Sequence, residues 1–123
     1  MPMVPADREL RLARAKRYMR ARMRGLNAID DDFRRRFGSS APLHHFELLP
    51  QLDVDYRAYI FFENEVDVEA CEADGTAEQM RIFILDRLSD LKTEDGAVKV
   101  RFEFDSHENV LRNYEGNYFL RMR

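Results

Sequence analysis

Three histidines and one cysteine are the residues of this sequence best suited to metal binding or catalysis. His44 and His45 are adjacent, so on a strand their side chains point to opposite faces and do not easily hold one ion together. His107 has Asp105 and Glu108 as near neighbours, but zinc sites need three or four ligands at a recognisable spacing. No such spacing occurs, and the five glycines form no phosphate-binding loop. We therefore predict neither a metal site nor a cofactor.

Cys71 could act as a nucleophile only if a histidine base produced its thiolate. Its acidic neighbours Glu69, Glu72 and Asp74 disfavour the thiolate, because nearby negative charge raises the pKa of a thiol. We expect an inert, partly buried side chain. The sequence thus identifies no catalytic residue, although an enzyme of an unrecognised type stays an open alternative.

The most informative functional feature is an acidic run that contains no lysine or arginine. Its seven carboxylates are Glu63, Glu65, Asp67, Glu69, Glu72, Asp74 and Glu78. The simplest interpretation is a solvated strand and loop. The functional interpretation is an electronegative surface that binds a basic protein partner, where charge speeds the association and selects the partner.

The N-terminal part of the chain carries the opposite charge. Residues 1–38 contain 11 basic and 5 acidic residues, whereas residues 39–123 contain 9 basic and 18 acidic residues. A helix that starts at Asp7 places a narrow apolar stripe on one side, made of Leu12, Ala15, Met19, Met23 and Leu26. Cations cover the rest of it: Arg8, Arg11, Arg14, Lys16, Arg17, Arg20, Arg22 and Arg24.

This basic helix, residues 8–24, has three interpretations. It packs on the sheet with a solvated basic face, it contacts nucleic acid, or it binds an anionic partner. Because the chain also carries the acidic run 63–78, we predict that the helix lies against that run. The contact lies within one chain or joins two copies into a homodimer.

The segment from Ser106 to Asn117 is long for a connection between two strands. Its polar and aromatic residues have the chemistry of a binding loop, with His107, Glu108, Arg112 and Tyr114 as the candidates. Asp105 or Ser106 would cap one helical turn through Leu111. An ordered structural loop explains the segment equally well.

Hydrophobic periodicity and turn residues predict the elements of the fold. The predicted helices cover 7–24, 29–38 and 76–91, and the predicted strands cover 45–49, 56–62, 65–69, 98–105 and 118–123. Gly25 is expected to break the first helix and Gly38 to end the second. A helical turn is the alternative for 65–69, and strand 56–62 is expected to be central.

This order, α-α-β-β-β-α-β-β, predicts an α+β fold with a mainly antiparallel sheet of about five strands. The 123 residues are expected to form one domain, with 1–6 as a mobile lead and 7–38 as a basic helical segment. Helix 76–91 should pack on the apolar face of strand 98–105, and strand 118–123 should pair with that strand.

The composition favours a cytoplasmic protein. A single cysteine cannot form an internal disulfide, which fits a reducing compartment. No apolar run reaches the roughly 18 residues that a membrane span needs, and the N-terminus lacks the apolar core of a secretory signal. Arginine outnumbers lysine 17 to 3, a bias typical of GC-rich bacterial genomes.

The layout of elements is similar to that of many small bacterial interaction domains, including toxin-immunity proteins. It therefore favours a non-enzymatic protein-binding module of the immunity or inhibitor type, which uses the acidic run as its contact surface. The alternative from a different class is nucleic-acid binding through helix 8–24, which the net acidic charge of the chain disfavours.

Overall fold

The structure is a computed structural model that describes residues 5–51, 53–91 and 97–123. Its elements follow one another as α1 Pro5–Phe37, β1 Leu43–Pro50, β2 Tyr56–Phe62, α2 Glu65–Ala73, α3 Thr76–Leu91, β3 Val100–Ser106, α4 His107–Asn113 and α5 Tyr118–Met122. The fold is α+β, and none of the described helices is long and apolar enough to cross a membrane. The predicted turn at 94–96, and residues 1–4 of the predicted lead, lie outside the described residues.

In the described residues the sheet has three strands in the order β1-β2-β3, so β2 is central as predicted. β1 runs antiparallel to β2, whereas β3 runs parallel to it, with Tyr56 opposite Val100 and Phe62 opposite Ser106. The prediction of a mainly antiparallel, five-stranded sheet is therefore wrong. Parallel strands need a crossover connection, and α2 and α3 together provide it between β2 and β3.

α1 is one continuous helix of 33 residues, so the predicted break at Gly25 is wrong. A glycine in a helix interior costs only about 1 kcal/mol relative to alanine, which a long helix tolerates. The missing side chain also lets Leu91 come close, because a Cβ at Gly25 would lie 3.0 Å from the Leu91 methyl carbons. The helix does end before Gly38, whose N–H donates to the Arg34 carbonyl.

Residues 65–69 begin α2 and do not form a strand, so the helical alternative is the correct one. The backbone N–H of Asn64 donates to the Asp67 carboxylate at 2.9 Å, and carboxylates in a first turn favour the positive end of the helix dipole. Val68 and Cys71, three residues apart, pack in the core, whereas Val66 is exposed. The alternation of valines with acidic residues therefore reflects a helix with one buried side.

The C-terminal segment 118–123 contains helix α5, so the predicted last strand is wrong. Tyr118 and Met122 are four residues apart, and a helix places both on the side that packs against the sheet. The segment before it contains helix α4, and the predicted cap by Ser106 is confirmed. The Ser106 Oγ accepts a hydrogen bond from the Asn109 N–H at 3.0 Å.

Each face of the sheet carries its own apolar cluster. On one face α1 and α3 pack against Ala58, Ile60 and Phe62 of β2, and the buried helix residues are Leu26, Ile29, Phe33, Phe37, Met80, Ile84 and Leu88. Phe102 and Phe104 of β3 pack against the same cluster, so the predicted apolar face of this strand is covered. Of the α3 residues predicted to pack there, Phe83 instead contacts Phe33 and Phe37 of α1, and Leu91 is exposed. On the other face α4 and α5 cover Tyr59 and Phe61.

Candidate functional site

Among the side chains of α1 that the structure describes, burial begins at Leu26, so the C-terminal part of the helix packs on the body of the protein. We name residues 9–24 the basic arm. Each arm side chain that the structure describes is exposed, including the cations Arg11, Arg14, Lys16, Arg17, Arg20 and Arg24. At 1.5 Å per residue the arm is about 24 Å long.

The basic arm does not lie on the acidic run of its own chain. Among the described residues, no arm cation is within 4.0 Å of a carboxylate of residues 63–78, whose ion pairs instead involve Arg81, Arg112 and His44. The main contacts of α1 are with α3 and β1. Of the two forms of docking that the sequence predicts, this structure therefore does not contain the one within a single chain.

The seven predicted carboxylates, which we name the acidic surface, lie immediately before α2, along it, and up to the first turn of α3. Three of them have arginine partners. Glu65 binds Arg112 at 2.8 Å, and Arg81 binds both Glu72 and Glu78. Because these two guanidinium groups face seven carboxylates, the surface keeps a strongly negative charge.

Two further carboxylates of the acidic surface bind backbone N–H groups. Asp67 accepts from Asn64 as described above, and Asp74 accepts from the Thr76 N–H at 2.9 Å. Hydrogen bonds from Thr76 hold the pKa of the Asp74 carboxyl below its usual value. Glu69 is exposed on α2 and free of any such role in the described part of the chain.

Two large apolar side chains are exposed within this charged region. Val66 of α2 is 71% exposed and Leu111 of α4 is 58% exposed. Glu65 precedes Val66 and Arg112 follows Leu111, so the ion pair between Glu65 and Arg112 joins the two helices that carry these apolar side chains. A charged surface with an apolar centre is the usual composition of a protein interface.

A pair of stacked histidines lies beside the acidic surface. His44 and His107 have ring centroids 3.8 Å apart and nearly parallel planes. The Nδ1 of His44 lies 3.1 Å from both carboxylate oxygens of Glu63, so Nδ1–H donates to this carboxylate. Glu63 follows β2 and His107 follows β3, and the parallel pairing of these strands therefore brings the two residues to the same end of the sheet.

Tyr118 of α5 holds the second ring of the pair. Its hydroxyl lies 2.6 Å from the Nδ1 of His107, and burial together with the Glu63 and Asp105 carboxylates raises the pKa of Tyr118 to about 12. The hydroxyl therefore keeps its proton near neutral pH and can donate it to the ring nitrogen. His45 lies on the other side of Tyr118, with ring centroids 4.9 Å apart.

The two adjacent histidines thus do not point to opposite faces of the sheet. Leu43 pairs with Phe62 and His45 with Phe61, so His44 is an extra residue in β1. Such a bulge breaks the alternation of side chains and often redirects one of them. It places both histidine rings near Tyr118, at 6.3 and 4.9 Å between centroids.

A cleft of about 420 Å³, which we name the histidine cleft, opens next to this pair. Its lining residues are Glu63, Asn64, His107, Glu108, Leu111 and Arg112. Groups in it that could bind an anion already have internal partners. Arg112 binds Glu65, and the N–H of Glu65 donates to the Glu108 carboxylate at 3.0 Å. The carboxylates of the cleft, Glu63 and Glu108, also have partners, but a carboxylate can accept several hydrogen bonds, so the cleft is better suited to a cation than to an anion.

The candidates from the Ser106–Asn117 segment divide between this cleft and the core. His107, Glu108 and Arg112 line the cleft, whereas Tyr114 packs beside the cluster on the second face of the sheet. The sequence did not predict that His44, Glu63 and Tyr118 join them. That association depends on the bulge and on the parallel strand pair, and neither has a local signal in the sequence.

Among the described residues, neither a metal-ligand cluster nor a side-chain nucleophile lies at this cleft. Cys71 is buried in α2, where burial, with the charges of Asp74, Asp67 and Glu72, raises the pKa of its thiol. Among the residues that the structure describes, no group of three or more histidine, cysteine, aspartate or glutamate side chains could hold a metal ion. The described lining of the histidine cleft also includes no hydroxyl or thiol nucleophile.

In comparisons with known proteins, no family model matches this chain, and neither a curated protein nor a solved structure matches it significantly.

Proposed function

We propose that this chain is a non-enzymatic protein-binding module whose acidic surface receives a basic, amphipathic segment of a protein partner. The observation that carries the proposal is the exposure of Val66 and Leu111 among the carboxylates, beside the histidine cleft. Apolar anchors supply most of the affinity of an interface, while surrounding charges mainly raise the association rate and select the partner.

The way in which the acidic surface is held supports this role. Val68 and Cys71 anchor α2 in the core, and the contacts of Glu65 with Arg112 and Glu108 join α2 to α4. A surface fixed in this way loses little conformational entropy when it binds. We place the binding event in the cytoplasm, since the single, buried Cys71 suits a reducing compartment.

The test compares two exposed apolar residues of helices. Val66→Lys inserts a cation at the proposed contact, and Ile82→Lys makes the same change in α3, where Ile82 lies in a separate cleft beside Phe37 and Phe83. Both side chains are exposed, so both variants should fold. The unchanged protein and the two variants, all full-length, serve as baits in a lysate of the native host. Each captured protein is then purified and titrated against these three baits.

We expect Val66→Lys to weaken binding of the captured partner about tenfold or more, and Ile82→Lys to leave it unchanged. Glu69→Lys should slow the association, with a smaller effect at high salt. A partner that binds Val66→Lys as tightly as the unchanged protein, or that both substitutions weaken equally, would show that the acidic surface is not the contact.

Nucleic-acid binding through the basic arm is the second candidate, because its six described cations are exposed. Leu10, Leu12 and Met23 are exposed on the same segment. Contacts with phosphates would not use these apolar side chains, so they favour a protein partner. The test is the fluorescence anisotropy of labelled duplex and single-stranded oligonucleotides. Tight, salt-sensitive binding at physiological ionic strength that Arg14→Glu with Arg17→Glu abolishes would replace the leading proposal.

A further inference from the structure

We propose that the basic arm of a second copy of this chain occupies the acidic surface, with one arm arginine in the histidine cleft. This inference depends on the proposed function, because it names the occupant of the same surface. It commits to self-association, and the reciprocal exchange of two arms closes a symmetric dimer.

Charge complementarity selects this occupant. The arm carries six described cations and Glu9, while the acidic surface carries seven carboxylates, of which three pair with Arg81 or Arg112. The two surfaces are both exposed and do not meet within one chain. Two arms in direct contact would repel each other. An arm on the acidic surface of the other copy instead places each charged surface against one of opposite charge.

The apolar groups of the two surfaces also match. Leu12 and Met23 of the arm are 55% and 43% exposed, and Val66 within the acidic surface and Leu111 of the histidine cleft are exposed as well. An amphipathic helix commonly binds by placing its apolar side in a groove with an apolar floor. Individual exposed ion pairs contribute only about 0–1 kcal/mol, so the apolar contacts must provide most of the affinity.

The histidine cleft favours a guanidinium group over other cations. His44 covers one face of the His107 ring and Tyr118 occupies its Nδ1, so the surface that His107 presents to the cleft is its other face or its Nε2 side. A planar guanidinium both stacks on an aromatic face and makes a cation–π contact with it, whereas an ammonium group makes only the cation–π contact. Leu111 provides an apolar contact for the arginine stem, and the Glu63 and Glu108 carboxylates provide acceptors.

The experiment measures the mass of the full-length protein by sedimentation velocity, from micromolar to submillimolar concentration. We expect a concentration-dependent dimer. An arm variant, Arg14→Glu with Arg17→Glu, and a surface variant, Glu69→Lys with Glu78→Lys, should each dimerise about tenfold more weakly, because each reduces the charge difference between the arm and the acidic surface. All four positions are exposed.

Mixing the two variants gives the decisive result. In a heterodimer the unchanged arm meets the unchanged surface, and the substituted arm meets the substituted surface, where the new glutamates face the new lysines. The mixture should therefore form a heterodimer at concentrations at which each variant alone is monomeric. An unchanged protein that stays monomeric throughout, or a mixture no more associated than its components, would overturn self-association. Neither result affects the proposed function, which the Val66→Lys comparison decides with a separate partner.

The arginine in the cleft is tested by changing all six arginines of the arm to lysine, which preserves its charge. We expect this variant and His107→Ala each to weaken the dimer several-fold, and their combination to weaken it little further, because both changes remove one contact. A lysine arm that associates as tightly as the unchanged arm would show that the cleft takes no guanidinium. The dimer itself would then be maintained by the other contacts.

Discussion

Phe33 and Leu12 lie on the same helix, and truncating them should affect stability very differently. Phe33 is fully buried and stacks on Phe46, with 4.1 Å between ring centroids, and it contacts Phe37 at 5.0 Å. Replacing a buried phenylalanine by alanine costs about 3–5 kcal/mol, and lost ring contacts place Phe33→Ala in the upper half of that range. Leu12 is exposed on the arm, so Leu12→Ala should change the free energy of unfolding by less than about 0.5 kcal/mol.

The assay is urea unfolding followed by far-UV circular dichroism, at a protein concentration low enough to keep the chain monomeric. A domain is stable by only about 5–15 kcal/mol, so Phe33→Ala can leave too little folded protein to measure. Phe33→Leu is the milder variant, with an expected loss of about 1–2 kcal/mol. The midpoints should shift while the slope of the free energy against urea stays the same.

Two results would refute this description of α1. A loss from Leu12→Ala as large as that from the Phe33 substitution would mean that the arm packs in the monomer. A loss below about half a kcal/mol for Phe33→Leu would mean that the second half of α1 is not part of the core.

Three further predictions concern the sheet and the elements at its end. Ser106→Ala should cost about 1 kcal/mol in urea unfolding, because it removes the cap of α4 that binds the Asn109 N–H. Phe102→Ala should cost about 2 kcal/mol, less than for a fully buried ring, because Phe102 is only partly buried. Ultraviolet titration should show one of the five tyrosines ionising near pH 12, and Tyr118→Phe should remove that step. Since the pKa of Tyr118 is raised on folding, its contribution to stability is complete below about pH 10 and is lost as the pH rises through 12.

The elements with strong, long patterns were predictable from the sequence. β2 lies at the centre of the sheet with both faces covered, as its continuous apolar run indicated, and α3 has the predicted bounds. The short amphipathic segments were not predictable in the same way. A run such as 118–122 has too few residues to distinguish a period of two from a period of 3.6, and packing against Tyr59 and Phe61 decides in favour of the helix.

The parallel pairing of β2 with β3 could not be inferred because the strands do not encode their direction locally. The antiparallel prediction followed from assigning a strand to 118–123, which would have been the neighbour of β3. Without that strand, the pairing of β3 with β2 depends on the crossover through α2 and α3.

The candidate site was predictable only in its parts. The acidic run and the basic helix were visible as charge, and His107, Glu108 and Arg112 as members of a polar segment. The association of His44 with His107 was not visible, because it requires the bulge in β1. The layout that suggested an immunity or inhibitor protein is not the layout that the chain adopts, so only the protein-binding role remains as a proposal.

The measurement that tests the central claim most directly is a nuclear magnetic resonance titration of the ¹⁵N-labelled full-length protein with a synthetic peptide of residues 8–24. The proposed binding surface predicts that the amide signals that shift most belong to Val66, Glu69, His107 and Leu111, and that Val66→Lys suppresses these shifts. Shifts that are absent from this region, or that appear around Ile82 instead, would contradict the claim that the acidic surface receives the basic arm of a second copy.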